Sequence, residues 1–454
     1  MLISRCLMRV KVKKFSSGER YAFLLQDDGL PDFWVTHFVT QKLRMSIAAT
    51  SIEQYLKDIK HMKLWERIHS RDLLEEIYNG KLPSRDDIND LKEHCFYQAK
   101  AFKKKPVTKV VDMGQFHLSK TQDQPTIGRM QYISRVAHIA EFLHFIGQER
   151  VKYKSSAVEL FDKLDSMKKN LKSGILKGKL NKVTLDKSGI PDDAFEDFVE
   201  VAKPNSKYNP FKKPAIKFRN YLIVQTLYET GFRCSELLAL RIGDIGTDTN
   251  NPTLSVVRRH DSKEDPRLKE PTAKTLGRIV HISRELRDLL NIYIKSHRLQ
   301  TKVAKTHPFI FVSHKDKEGS YKSGQPIIQQ TVNDLFNRIK RVNPEKFWGI
   351  TPHSYRHFFN DQLSTRIDVE RKAVKHEVKR LEAEGLKEEA KQYANENTIT
   401  EQRELEIRAE LNGHSSLNSG RTYLKRTTRK QASSIVKKMH AVLKHKAGSF
   451  NNDL

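Results

Sequence analysis

The chain has 454 residues, with 83 Lys and Arg against 55 Asp and Glu and a net charge of +28. That length carries two or three domains with real cores, and an excess of this size spread along the whole chain points to a polyanion, to nucleic acid before a membrane patch. Cys6, Cys95 and Cys234 are odd in number and form no C-x-x-C pair, which excludes a disulfide scaffold and a cysteine zinc site; Arg5 and Arg9 break the opening apolar run, no later run reaches a membrane span, and a cytoplasmic, nucleoid-associated protein is expected.

In chain order, MRVKVKKF alternates as a short strand or arm before the polar turn SSGER. From Pro31 the spacing turns helical. FWVTHFVTQKLR and SIEQYLKDIKHMKLWERI repeat apolar residues every three or four positions, and Ser51 with Gln54 forms a candidate capping box. Pro83-Ser84 breaks the run and SRDDINDLKEHCFYQAKAF restarts it. In RMQYISRVAHIAEFLHFIGQE, Ile133, Val136, Ala137, Ala140 and Leu143 share one face. Residues 1–175 therefore read as an arm and a helical domain with basic outer faces, suited to phosphate contacts that give affinity and placement. The lysine-rich stretch 165–188 is where the linker is expected.

Residues 176–430 form the second expected domain. RNYLIVQTLYETG is an apolar helix ended by Gly231. LSVVRRH, GRIVHIS and PFIFVS are β-type runs, the first two suited to a small sheet. TVNDLFNRIKRV and TPHSYRHFFNDQLSTR are helices, the second with Pro352 at an early position. The fold class is mainly α with a small β-sheet (α+β). Residues 367–410 hold 12 acidic and 9 basic residues, a net of −3 in a chain of +28. They read as an inserted helical hairpin for protein contacts, or as a solvated charged excursion. In the tail, 431–454, Ile435, Met439 and Leu443 mark an apolar stripe on a basic helix.

The chemistry-bearing residues lie in the second domain. Arg233 stands in GFRCSELLAL, His353 and Arg356 in HSYR, and His414 in GHSS, with Tyr423 nine residues later. Two arginines, two histidines and a late tyrosine are what phosphodiester transfer through a tyrosine ester needs. The phenol supplies the attacking oxygen, and guanidinium forks meet the charge that grows on phosphorus. Glu236, one turn after Arg233, is placed to orient it. His353 can donate to the phosphate or take the phenol proton. His353 and His357 also stand at i and i+4, as in a metal pair, but the glutamate of a metalloprotease helix is absent and no third ligand is evident.

Together these motifs resemble the tyrosine recombinases of the phage-integrase type, over residues 185–430. TGFRCSELL is similar to that family's first-arginine helix, HSYR to its H-x-x-R helix and GHSS to its GH motif. The resemblance implies that Tyr423 is the nucleophile and that Lys274, in TAKTLGRIVHIS, is the hairpin lysine that protonates the leaving 5′ oxygen. It implies a core-binding role for the helical domain, double-stranded DNA as partner, a homo-tetramer on two DNA sites, accessory DNA-bending or partner recombinase proteins, and no cofactor or metal. The alternatives are a type IB topoisomerase or telomere-resolvase-like enzyme, and a non-catalytic DNA-binding protein on the same scaffold.

Overall fold

A computed structural model describes residues 8–102, 125–152, 157–173, 190–273, 275–315, 322–421 and 424. The chain divides into two compact units, Met1–Thr184 and Leu185–Leu454. Lys274, Tyr423 and the expected tail helix at 431–454 lie outside the described residues, as does the stretch 174–189 that includes most of the expected linker.

The first unit opens with an antiparallel hairpin of β1 (Arg9–Lys14) and β2 (Arg20–Leu25), paired from Arg9↔Leu25 to Lys14↔Arg20. Helices follow: α1 (Phe33–Phe38), α2 (Ala49–His69), α3 (Leu73–Tyr78), α4 (Arg85–Phe96), α5 (Arg129–Val151) and α6 (Ala157–Lys172). Leu56, Ile59, Met62 and Trp65 of α2 meet Val136, Ile139, Phe142 and Ile146 of α5 in one buried cluster. One expectation is corrected. Ser51 does not cap α2: the helix begins at Ala49, with Ala48 as its extended N-cap, and Gln54 instead donates to Asp58. The box that forms is at Ser84 and Asp87, on α4. Leu164, Met167 and Leu171 carry a buried stripe along α6 through to Lys172.

Asp58 is the polar anchor of this core. Its carboxylate is buried between α2 and α5, accepting from His138 Nδ1 at 2.8 Å and pairing with Arg135 Nε at 3.4 Å. Arg135 in turn donates to Cys95 O and Tyr97 O, capping the end of α4.

The second unit is built from α7 (Asp192–Ala202), α8 (Pro214–Thr230), α9 (Cys234–Ala239), β3 (Thr253–Val256), β4 (Arg278–His281), α10 (Arg284–Tyr293), α11 (Gln329–Lys340), α12 (Pro344–Phe347), α13 (Pro352–Ala383), α14 (Lys387–Asn397) and α15 (Glu401–Asn412). Central α8 buries Leu222, Ile223, Val224 and Leu227 completely. The first half of α13 packs Tyr355 and Phe358 against Phe195 of α7. β3 and β4 pair antiparallel, with Val256 opposite Arg278, so Arg278 and Val280 face inward. PFIFVS stays extended but forms only single bridges, Arg241↔Phe309 and Val312↔Pro326. Pro308 and Pro326 lack the N–H a ladder needs on either side.

The expected insertion at 367–410 divides in two. The distal part of α13 and α14 form a hairpin across Gly385, with Ala390 buried. α15 instead belongs to the unit's interior. Arg408, fully buried, pairs with Glu404 and donates to Ser364 Oγ and Asn360 O of α13.

The buried Asp58 group has a direct consequence for stability. Asp58→Ala leaves Arg135 without its counter-charge and should cost about 3–5 kcal/mol in chemical denaturation followed by circular dichroism. A loss below about 1 kcal/mol, the size of an exposed pair, would contradict the assignment.

Candidate active site

The site begins where α8 stops. Gly231 ends that helix at φ +61°, and a Cβ there would stand 2.7 Å from Phe359 Cγ, so both the backbone and the packing require glycine. Two residues later Arg233 is the extended N-cap of α9. Glu236, at the third helical position, reaches back to accept from the Arg233 N–H at 3.0 Å and from Arg233 Nη1 at 3.2 Å. The helix start thus places the guanidinium, whose side chain remains 29% exposed.

Glu236 does more than orient Arg233. Its side chain is fully buried and accepts from Thr275 Oγ1 at 2.7 Å and from Arg278 Nη2 at 2.9 Å; Arg356 Nη1 lies 3.9 Å away. Burial alone would raise this carboxyl. The hydrogen bond and charge of Arg278, the Thr275 hydroxyl and the charge of Arg356 outweigh that and hold it below its usual range. Three guanidinium groups and one carboxylate leave a local charge of 3 − 1 = +2.

Arg356, on the second turn of α13, is 1% exposed. Nη1 donates to Gly231 O at 3.1 Å, and Nη2 donates to Asn412 O at 2.9 Å and approaches His414 Nε2 at 3.4 Å. Guanidinium has no acceptor, so Nε2 presents its lone pair there. His414 follows Gly413, which ends α15 at φ +64°. A Cβ on Gly413 would lie 2.8 Å from Leu276 O and 2.9 Å from Arg278 Nη1. Burial, then the charges of Arg356, Arg233 and Arg278, push the His414 imidazole down to about 4, against the opposing pull of Glu236.

The structure thus joins Arg233, Glu236, Arg356 and His414. His353 is three residues from Arg356 on α13 but exposed where Arg356 is buried, and its ring packs edge-on against His357 at 4.5 Å. Among the described residues, no group of three His, Cys, Asp or Glu is placed to hold a metal. Sequence reasoning missed Thr275 and Arg278 as partners of Glu236, and Asn360 and Asn412, whose amides bond each other between α13 and the end of α15. The signal for Arg278 was its inward position in the alternation Arg278, Val280, Ile282. A charged residue on a buried face requires a buried counter-charge.

The depressed imidazole sets a pH dependence. The unfolded chain takes up this proton near the ordinary value of 6.5, whereas the folded one does so only near 4. His414 therefore lowers stability as pH falls through that window, and makes no such contribution above it. An NMR titration of the DNA-free protein should find His414 neutral at pH 6; a midpoint at or above 6 would contradict this geometry.

Residues 205–375, which include Arg233, Glu236 and Arg356, match the model of the phage integrase family. Transposase A from transposon Tn554 of Staphylococcus aureus is 34% identical over 149 residues, 32% of this chain and 36% of the transposase. Tyrosine recombinase XerD of Halalkalibacterium halodurans is 26% identical over 158 residues, 34% of this chain and 44% of that protein. The chain thus aligns with about a third to under half of the length of these relatives. Among solved structures, XerH site-specific recombinase bound to palindromic difH substrate aligns with 89% of this chain and 94% of its own, at 16% identity and a TM-score of 0.40. With this match running through an arginine site of this composition, residues 205–375 carry a domain of the phage integrase family, and the chain resembles the tyrosine recombinases there.

Proposed function

We propose that this protein is a site-specific DNA recombinase or integrase that breaks and rejoins DNA through a 3′-phosphotyrosyl intermediate. One observation carries the reading: Arg233, Arg356 and a neutral His414 converge around a buried Glu236, leaving net positive charge beside an accessible guanidinium. Such a site fits a phosphodiester, whose non-bridging oxygens match guanidinium forks.

In this reading the Tyr423 oxygen attacks phosphorus. The Tyr–O–P bond forms, the P–O5′ bond breaks, and Lys274 gives a proton to the departing oxygen. His353, exposed on the first turn of α13, donates to the phosphate or takes the phenol proton. Arg233 and Arg356 meet the charge that develops at phosphorus, each worth about 10²–10³ in rate. The ester keeps the energy of the broken bond, so a 5′ hydroxyl from the partner strand can reverse the step without ATP. The arginines and Lys274 supply the positive charge that a metal ion would otherwise provide, with His353 and His414 beside them as hydrogen-bonding groups.

Double-stranded DNA is the proposed partner, gripped by the basic faces of the first unit and cut by the second. Two sites with two strands each call for four protomers, with accessory DNA-bending or partner recombinase proteins where geometry requires them. The hairpin formed by the end of α13 and by α14 holds 8 acidic and 7 basic residues over 367–397, lacks the positive excess of the rest of the chain, and suits protein contacts in that assembly.

The test is covalent capture on nicked duplex DNA. Tyr423→Phe should abolish adducts and keep DNA affinity within about threefold, because the phenol oxygen rather than ring packing is lost. Wild-type cleavage should survive EDTA. Adducts that persist in Tyr423→Phe, or cleavage lost in EDTA and restored by Mg²⁺, would overturn the reading. Relaxation of any supercoiled plasmid irrespective of sequence would assign a topoisomerase instead.

A further inference from the structure

Three consecutive carbonyls close α15, and each takes a donor from the site. Leu411 O accepts from Arg278 Nε at 2.9 Å, Asn412 O from Arg356 Nη2 at 2.9 Å, and Gly413 O from the Leu276 N–H at 3.0 Å. The last turn of a helix leaves its carbonyls without intrahelical partners and carries the negative end of the dipole. Here that end is met by two arginines and by the backbone of the 275–278 segment that leads into β4.

Arg278 links the helix that carries Glu236, the 275–278 segment and the end of α15. It is 6% exposed, held opposite Val256 by strand pairing, with its guanidinium 5.3 Å from the Phe232 ring centroid. One edge of the fork reaches Glu236 and Thr275 Oγ1, and Nε reaches Leu411 O. Glu236 belongs to the helix that starts at Arg233, and Leu411 precedes His414 by three residues. Thr275 directly follows Lys274 in the chain. Lysine has neither the planar fork nor the second donor edge that this placement uses.

We propose that Arg278 is a positioning residue: it locks the 275–278 segment to the end of α15, so that the hairpin carrying the general acid and the segment carrying His414 are held in one register. The proposal rests on the recombinase reading above and concerns leaving-group protonation within it. A hairpin out of register would leave attack by the tyrosine possible but the departing 5′ oxygen without its proton.

The test uses the full-length protein and single-turnover adduct formation on nicked duplexes that carry either oxygen or sulfur at the 5′ bridging position. A thiolate leaves without a proton, because thiols ionise near pH 8.5 and alcohols far higher. Arg278→Met should slow cleavage of the oxygen substrate by about 10²-fold with DNA affinity little changed, and the sulfur substrate should restore the rate to within about tenfold of wild type. Arg278→Lys, which keeps the charge and the bulk, should show the same oxygen-specific loss and decides the matter if Arg278→Met fails to fold. An Arg278→Lys protein that cleaves the oxygen substrate at the wild-type rate, or a variant equally slow on both substrates, would overturn the proposal. If the wild type itself forms no adduct on either substrate, the recombinase reading fails and this inference falls with it.

Discussion

A single buried carboxylate holds the second unit's chemistry in place. Glu236 has no contact with solvent, and an ionised carboxylate in that position is tolerable only with compensating charge and hydrogen bonds. Compensation comes from Arg233 on its own helix start, Thr275 and Arg278 on the hairpin, and Arg356 on α13. Each arrives from a different part of the chain. The requirement to neutralise one carboxylate is therefore what gathers three guanidinium groups that would otherwise repel one another. Once gathered, they outnumber it, and the surplus is available to an anion.

The same arrangement explains why the arginines are unequal. Arg356 spends its donors on Gly231 O, Asn412 O and the approach to His414, all inside the protein. Arg233 keeps part of its surface open. One is a fixed strut with a charged head beside the site and the other is the readier ligand for an incoming oxygen. The neutral state of His414 follows first from burial and then from the same crowding, since a further positive charge among three guanidinium groups is disfavoured. A bound phosphodiester would reverse that balance and raise the affinity of His414 for a proton.

Much of this was legible in the sequence, and what was not has physical reasons. Arg233, Arg356 and His414 stand in motifs with characteristic neighbours, and Gly231 and Gly413 mark helix ends that the structure shows at positive φ. The role of Glu236 as Arg233's partner follows from a three-residue spacing on a helix start. Its ties to Thr275 and Arg278 span 39 and 42 residues and depend on tertiary packing that no local pattern encodes. Ser51 looked like a cap because its neighbours fit the pattern, yet Ala48 adopts the extended backbone first and the helix is already under way. Gly413 reads as a tight-turn glycine. Its second reason, the approach of the hairpin within contact distance of a would-be Cβ, appears only in three dimensions. The roles proposed for Lys274 and Tyr423 rest on family resemblance.

The most direct test of the central claim is the rate of covalent adduct formation by Glu236→Gln on nicked duplex DNA, measured alongside DNA affinity. The substitution keeps the size of the side chain and removes the charge that gathers the arginines. The account predicts that cleavage falls by about 10²-fold or more while binding of a single DNA site is largely retained. A Glu236→Gln protein that cleaves at the wild-type rate would show that the arginines need no shared carboxylate and would contradict the account.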